Sequence, residues 1–262
     1  MHFLDDYYYM IRPTPLLLFV FIIVMISVTS GWSQSENPLA PPFPAPKLGV
    51  EGGIGINQQQ GEYASNCGCT FPSGNGSGFI LDAIGERFLG YQLSLVGRFG
   101  VLLKNTSSSL MTDTNQTSLQ NGAIVKQTVP FTEQASVKLT YIAFTPTIRY
   151  YILTDRLFAE VGPSFGFLLS SNLNATEQVS QSGYTFTDGS TERQIQNGSI
   201  TNGSTFNMSL FGGIGYTFQL KGRLAFSPEV FFMLPLTSVQ DGSNWKIMSY
   251  QVTGTLSWTL HY

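Results

Sequence analysis

Few residues in this 262-residue chain could do chemistry, and they are widely spaced. Glu51, Asp82, Arg98, Arg149, Glu160 and Glu229 are isolated charges in segments that otherwise alternate apolar residues with Gly, Ser and Thr. Arg149 and Glu160 are equidistant from the centre of the Thr154-Asp155 turn. In a hairpin that turns there they lie directly opposite on one face, which predicts a cross-strand ion pair. Charges enclosed in this way neutralise and fill an interior, or rearrange as a gate; the first is expected. Cys67 and Cys69 flank Gly68. A bond closed over one residue is strained and readily reduced, although an exported location permits it. A free or intermolecular thiol and a metal site are the alternatives, and two Cys without a nearby His make a poor zinc set. His261 has only same-face spacing with Ser257 and Thr259, where a hydrolase needs its base beside a nucleophile. No phosphate loop, nucleophile elbow or HExxH occurs, so neither an enzyme nor a cofactor is expected.

The elements that must position these charges are strands. Period-two alternation runs through eight segments: 48–57, 78–86, 91–104, 137–152, 157–170, 206–220, 224–236 and 248–262. The fourth switches apolar face near Ala143, which predicts a β-bulge there. Pro146, Pro163 and Pro228 predict further bulges or lost ladder bonds. Long polar connections (58–77, 105–135, 171–205, 237–246) alternate with short ones (87–90, 153–156, 221–223). That rhythm predicts an all-β, eight-stranded, antiparallel up-and-down barrel with long loops at one rim.

Alternation fits a soluble lipocalin-like carrier with its apolar face inward and a membrane barrel with that face outward. The other face decides between them. It carries Gly, Ser, Thr and Ala where a solvated exterior would carry Lys and Glu, and the apolar face holds no charge in any segment. Charged residues make up only 11% of the chain, against about 25% in ordinary soluble domains. The apolar face is therefore expected to meet outer-membrane lipid. A net charge of −3 argues against nucleic acid as a partner.

Residues 16–28 form an apolar run too short to span a membrane as a helix, and small residues follow it. Residues 1–33 are expected to be a cleaved signal peptide, with translation starting at Met10 as the repair for an acidic front end. Residues 34–46 read as a Pro-rich periplasmic linker, and 47–262 as the barrel. Gly254, Leu256, Trp258, Leu260 and Tyr262 end the chain in an alternating pattern that closes on an aromatic. The pattern resembles the C-terminal signal that bacterial barrel-insertion machinery reads. The segments Pro146-Thr-Ile-Arg149-Tyr150-Tyr151 and Glu160-Val-Gly162-Pro163 resemble the central hairpin of the PorT-like outer-membrane β-barrel family. The resemblance is specific over about twenty-five residues and implies a bacterial outer-membrane location without transferring an activity. The expected role is structural or surface-interacting, with a largely filled lumen and a surface or periplasmic protein as partner. A component of a secretion or uptake machine is the alternative.

Overall fold

Residues that alternate between bulky apolar and small polar side chains build extended segments with two unlike faces. In the computed structural model such segments form almost the whole described structure: residues 44–64, 70–120, 123–153, 156–180, 184–186 and 188–260, without the side chains of 64 and 113–129. The expected signal peptide, most of the linker, Cys67, Cys69, His261 and Tyr262 lie outside the described residues. The strands are β1 (Lys47–Gln60), β2 (Tyr63–Ala64), β3 (Thr70–Phe71), β4 (Asn75–Phe88), β5 (Leu93–Gln120) and β6 (Ala123–Tyr151). They continue with β7 (Leu157–Val179), β8 (Glu192–Gly198), β9 (Phe206–Tyr216), β10 (Phe218–Gln219), β11 (Leu224–Pro235) and β12 (Lys246–Thr259).

Eight of them close a ring in the order β1, β4, β5, β6, β7, β9, β11, β12, every neighbour antiparallel. β12 returns to β1 from Lys47↔Thr259 to Gln60↔Lys246, so no edge is left between the first and last strands. The expected eight-stranded up-and-down barrel is what forms. β10 prolongs β9 against β11, β8 pairs the outer part of β7, and β2 with β3 makes a small hairpin in the first long loop.

The apolar face points outward. Val230 is 54% and Leu210 38% exposed, while Glu51 on the opposite parity is fully buried. This excludes the lipocalin-like arrangement, in which those apolar side chains would gather around the axis. The outward belt on β5 runs from Leu93 to Leu103, and the outward positions then become Asn105, Ser107 and Ser109. Eleven residues is the length a tilted membrane-crossing strand requires.

Two expectations are corrected. Residues 105–135 are almost wholly strand, not loop, and 171–205 are strand over nearly half their length: β5 and β6 stay paired out to Gln120↔Ala123, and β7 runs on to pair β8. Outside the belt the outward face is polar, so the hydrophobic contrast that marks a strand fades while the ladder continues. The bulge lies on β7 and not on β6. Thr140 pairs Ser170 and Tyr141 pairs Leu168, which leaves Leu169 as the extra residue. β6 itself alternates without a break, so Val137, Leu139 and Tyr141 are lumenal apolar residues. The prolines act in the second of the two expected ways, by lost ladder pairing without a register change. Pairing of β6 with β7 lapses between Phe144↔Phe165 and Ile148↔Val161, where Pro146 and Pro163 face each other. Pro228 falls in the lapse of pairing between Glu229↔Gly215 and Phe226↔Phe218.

Candidate functional site

The lumen has two layers. At the end holding the short turns it is a network of charges. Arg98, on β5, reaches the carboxylates of three other strands. Its Nε lies 2.8 Å from Glu51 Oε2, and its Nη2 lies 2.6 Å from Glu160 Oε1 and 2.9 Å from Glu229 Oε2. Its Nη1 donates to Thr147 Oγ1 at 3.1 Å. Arg149 pairs across the hairpin with Glu160 (3.1 Å) and reaches Glu229 (3.0 Å). The guanidinium of Arg149 stacks 3.8 Å from the centre of Phe158, and that of Arg98 lies 4.9 Å from Phe211. Planar forks that bridge two carboxylates while lying on an aromatic ring suit arginine and not lysine.

Small residues make the room. At Gly215 a Cβ would collide with Phe158 and come within 2.7 Å of Glu229 Cγ, so a glycine is what lets that carboxylate cross the lumen. A Cβ at Gly100 would strike Asp82. Asp82 is buried directly opposite Glu51 on the neighbouring strand and, among the described residues, joins no ion pair. One oxygen of Asp82 and one of Glu51 have no hydrogen-bond partner.

The sequence reading missed two members. Glu86 accepts from Ser94 Oγ (2.7 Å) and Tyr151 OH (2.6 Å) and pairs with Lys47 (3.6 Å) and Arg149 (3.7 Å). Both share the lumenal parity of their strands, and that was the signal available for them. A void of about 10 Å³ beside Lys47, Glu86 and Arg149 has room for one water at most. The charge layer is therefore filled.

Toward the long loops the lumen is mainly apolar, with Lys104, Asn57, Gln59 and Gln251 buried among its apolar side chains. Ile80, Leu102, Leu139, Tyr141, Phe211, Phe231, Met233 and Ile247 from the barrel wall meet Tyr63, Phe71, Val239 and Trp245 from the loops. Tyr63 and Trp245 contact at 4.6 Å between ring centres. Burial pushes the Tyr63 hydroxyl from its ordinary 10 up to about 12. The raised pKa means that the neutral phenol is the form the plug holds. The plug is fully stable below pH 10 and loses stability as pH rises from 10 through about 12. Tyr63→Phe is expected to abolish that alkaline loosening, measured as protease cleavage of loop 61–74 between pH 9 and 12.

Gly254, Leu256, Trp258 and Leu260 occupy successive outward positions at the end of β12. The outward aromatics Tyr91, Tyr150, Phe218, Phe226 and Trp258 ring the turn end, and Phe206 and Tyr250 lie toward the loops. Among the described residues no group of three His, Cys, Asp or Glu is placed to hold a metal ion.

The structure is similar to Ail, the attachment invasion locus protein of Yersinia pestis, at 9% identity, with 82% of this chain and 99% of that chain covered and a TM-score of 0.33. It is similar to Neisserial surface protein A at 9% identity, covering 81% and 97%, TM-score 0.34. It is also similar to the outer membrane protease OmpT of Escherichia coli at 10% identity, covering 88% and 100%, TM-score 0.27. No curated protein matches the sequence. A family model described as "Outer membrane protein beta-barrel domain" matches residues 32–241. With its closed ring, outward belt and filled interior, the chain belongs to that outer-membrane β-barrel family and spans the bacterial outer membrane.

Proposed function

We propose that this barrel is a structural or surface-interaction protein whose working part is the strand ribbon beyond the belt. The observation that carries the reading is length. β5 has 28 residues and β6 has 29, against 14 in β1, β4 and β12. About eleven residues cross a bilayer, so some seventeen residues of β5 project past it, on the order of 55 Å along the strand. The projecting outer face is hydroxyl- and amide-rich: Ser107, Ser136 and Asn174 stand in one cross-strand row, and Ser109, Gln134 and Thr176 in the next. The filled lumen supports a role other than solute passage. In this reading the chain is not an enzyme, residues 1–33 are a cleaved export signal and 34–46 a periplasmic linker. The outward Gly254, Leu256, Trp258 and Leu260, continued by Tyr262, are the strand that the insertion machinery engages. Cys67 and Cys69 form an intraloop disulfide.

A PorT-like assignment is supported by the motif residues themselves. Arg149, Tyr151 and Glu160 all join the lumenal network. This keeps a second reading, a subunit of a secretion or uptake machine, whose partners would be periplasmic.

The test is made on intact cells. Added protease is expected to cut within 105–135 and 171–205 while the barrel stays protected. Replacing residues 110–133 by Asn-Gly joins the register partners Ser109 and Gln134 through a two-residue hairpin turn. This variant is expected to insert at wild-type level and to lose most cell-surface attachment. Full protection of both segments, or crosslinks to periplasmic proteins alone, would overturn the surface reading.

A further inference from the structure

Charge is unevenly placed: the loop side mixes acids with the exposed bases Lys138 and Arg193, whereas the described turn side exposes bases. Among the described residues the exposed acids Glu62, Asp188, Glu192 and Asp241 all lie on the loop side. The turn side carries Arg156, Lys221 and Arg223, all exposed, with Arg87 near the end of β4. Among the described residues none of Arg156, Lys221 and Arg223 forms an ion pair. They sit on adjacent turns. The backbone N–H of Thr217 donates to Arg156 O at 2.9 Å, and that of Thr259 donates to Arg223 O at 3.0 Å. The three cations thus form one arc across β7, β10, β11 and β12. Gly222, at φ +72°, makes the tight turn that presents Lys221 and Arg223 on either side of it.

These turns are not polar caps. Leu153 is 55% exposed and Leu220 47%, and Leu89 and Ile152 are also exposed. Apolar side chains at turn apices continue the lipid-facing belt without a polar interval, which sets the turn rim at headgroup depth and not in bulk water. Lys and Arg at that depth lay their stems along apolar surface and lift the charge to the phosphates.

We infer that the turn rim is a binding site for anionic phospholipid headgroups of the adjoining leaflet, with Arg156, Lys221 and Arg223 as its phosphate ligands. The occupant is a lipid because the cations are continuous with the acyl-chain surface and interleaved with exposed leucines. An acidic protein would meet those leucines with nothing to cover them.

The test uses the full chain refolded into phosphatidylcholine vesicles that hold a trace of spin-labelled phosphatidylglycerol or spin-labelled phosphatidylcholine. The quantity read is the motionally restricted fraction of each label. The wild-type barrel is expected to prefer phosphatidylglycerol about fivefold at low salt, as one or more well-placed cations would give, with the preference lost in 1 M salt. The Arg156→Gln/Lys221→Gln/Arg223→Gln variant is expected to show no preference, and Lys138→Gln/Lys246→Gln, at the loop side, to keep it. The inference fails if the wild-type barrel shows no salt-sensitive preference, a result that does not require the variant to fold. It also fails if the turn-rim variant retains the preference, or if inorganic phosphate at millimolar concentration removes it, which would make the arc a site for the free ion.

Discussion

Arg98→Ala is expected to cost the barrel about 3–5 kcal/mol, the loss typical of removing one partner from a buried ion network. Arg98 is the cation nearest to Glu51, and it shares Glu160 and Glu229 with Arg149. Without it Glu51, already facing Asp82 across the β1–β4 ladder, keeps no cation at all. Three carboxylates would then lie around a space too dry to solvate them. The penalty comes from the charges left behind more than from any net gain of the intact pairs, since buried pairs roughly offset their own desolvation. Two further results follow from that account. Glu51→Gln in the Arg98→Ala background is expected to recover part of the loss, with a coupling on the order of 1–3 kcal/mol in the double-mutant cycle. Arg98→Lys is expected to fail as a rescue, because an ammonium cannot bridge Glu51, Glu160 and Thr147 while stacking on Phe211. Urea unfolding in lipid vesicles, followed by gel mobility of unheated samples, measures all three. An Arg98→Ala barrel as stable as wild type would mean that the lumen is wet.

Much of this architecture is legible in the sequence because one face obeys a strict rule. Within the belt an outward residue meets hydrocarbon, so Leu48, Val50, Ile54 and Ile56 alternate cleanly with Gly49, Glu51, Gly53 and Gly55. The lumenal face obeys a looser rule, in which a residue need only fit and find a partner. Charge marks Arg98 and Glu160 on that face, but Ile80, Leu139 and Phe231 are lumenal as well and carry an apolar signal on the other parity. That conflict produced the false face switch near Ala143. Beyond the belt neither face is tied to hydrocarbon, and the long ribbon of β5 and β6 reads as loop although its backbone pairing never stops. Lys47 and Glu86 escaped because each stands at the end of a strand, where a charge is ordinary. The loop residues of the apolar layer were the least legible. Nothing in local periodicity says that Tyr63, Phe71 and Trp245 fold back over the barrel, since that depends on the shape of the opening they fill.

Trp245→Ala is expected to be the most damaging change outside the charge network. The indole is fully buried and belongs to the cluster that joins the loops to Leu102, Met233 and Ile247. Truncating a buried aromatic of this size costs about 3–5 kcal/mol, part transfer and part cavity. The site has little freedom to collapse, because the barrel wall around it is fixed by its ladders. Trp245→Phe separates packing from polarity. The indole N–H has no hydrogen-bond partner, so phenylalanine keeps most of the contact and removes an unpaired donor, and its cost is expected to stay below about 1.5 kcal/mol. Protease cleavage of loops 61–74 and 236–245 in folded vesicle-bound protein reads the difference: fast in Trp245→Ala, near wild type in Trp245→Phe. The two lumenal layers also act in series. Trp245→Ala opens the loop end onto a charge layer that still has no room for more than a water, and Arg98→Ala loosens that layer beneath an intact apolar plug. Each single variant is therefore expected to show negligible conductance in planar bilayers, and only the double variant to admit ions. A conducting Trp245→Ala barrel would mean that the apolar layer alone keeps the lumen closed.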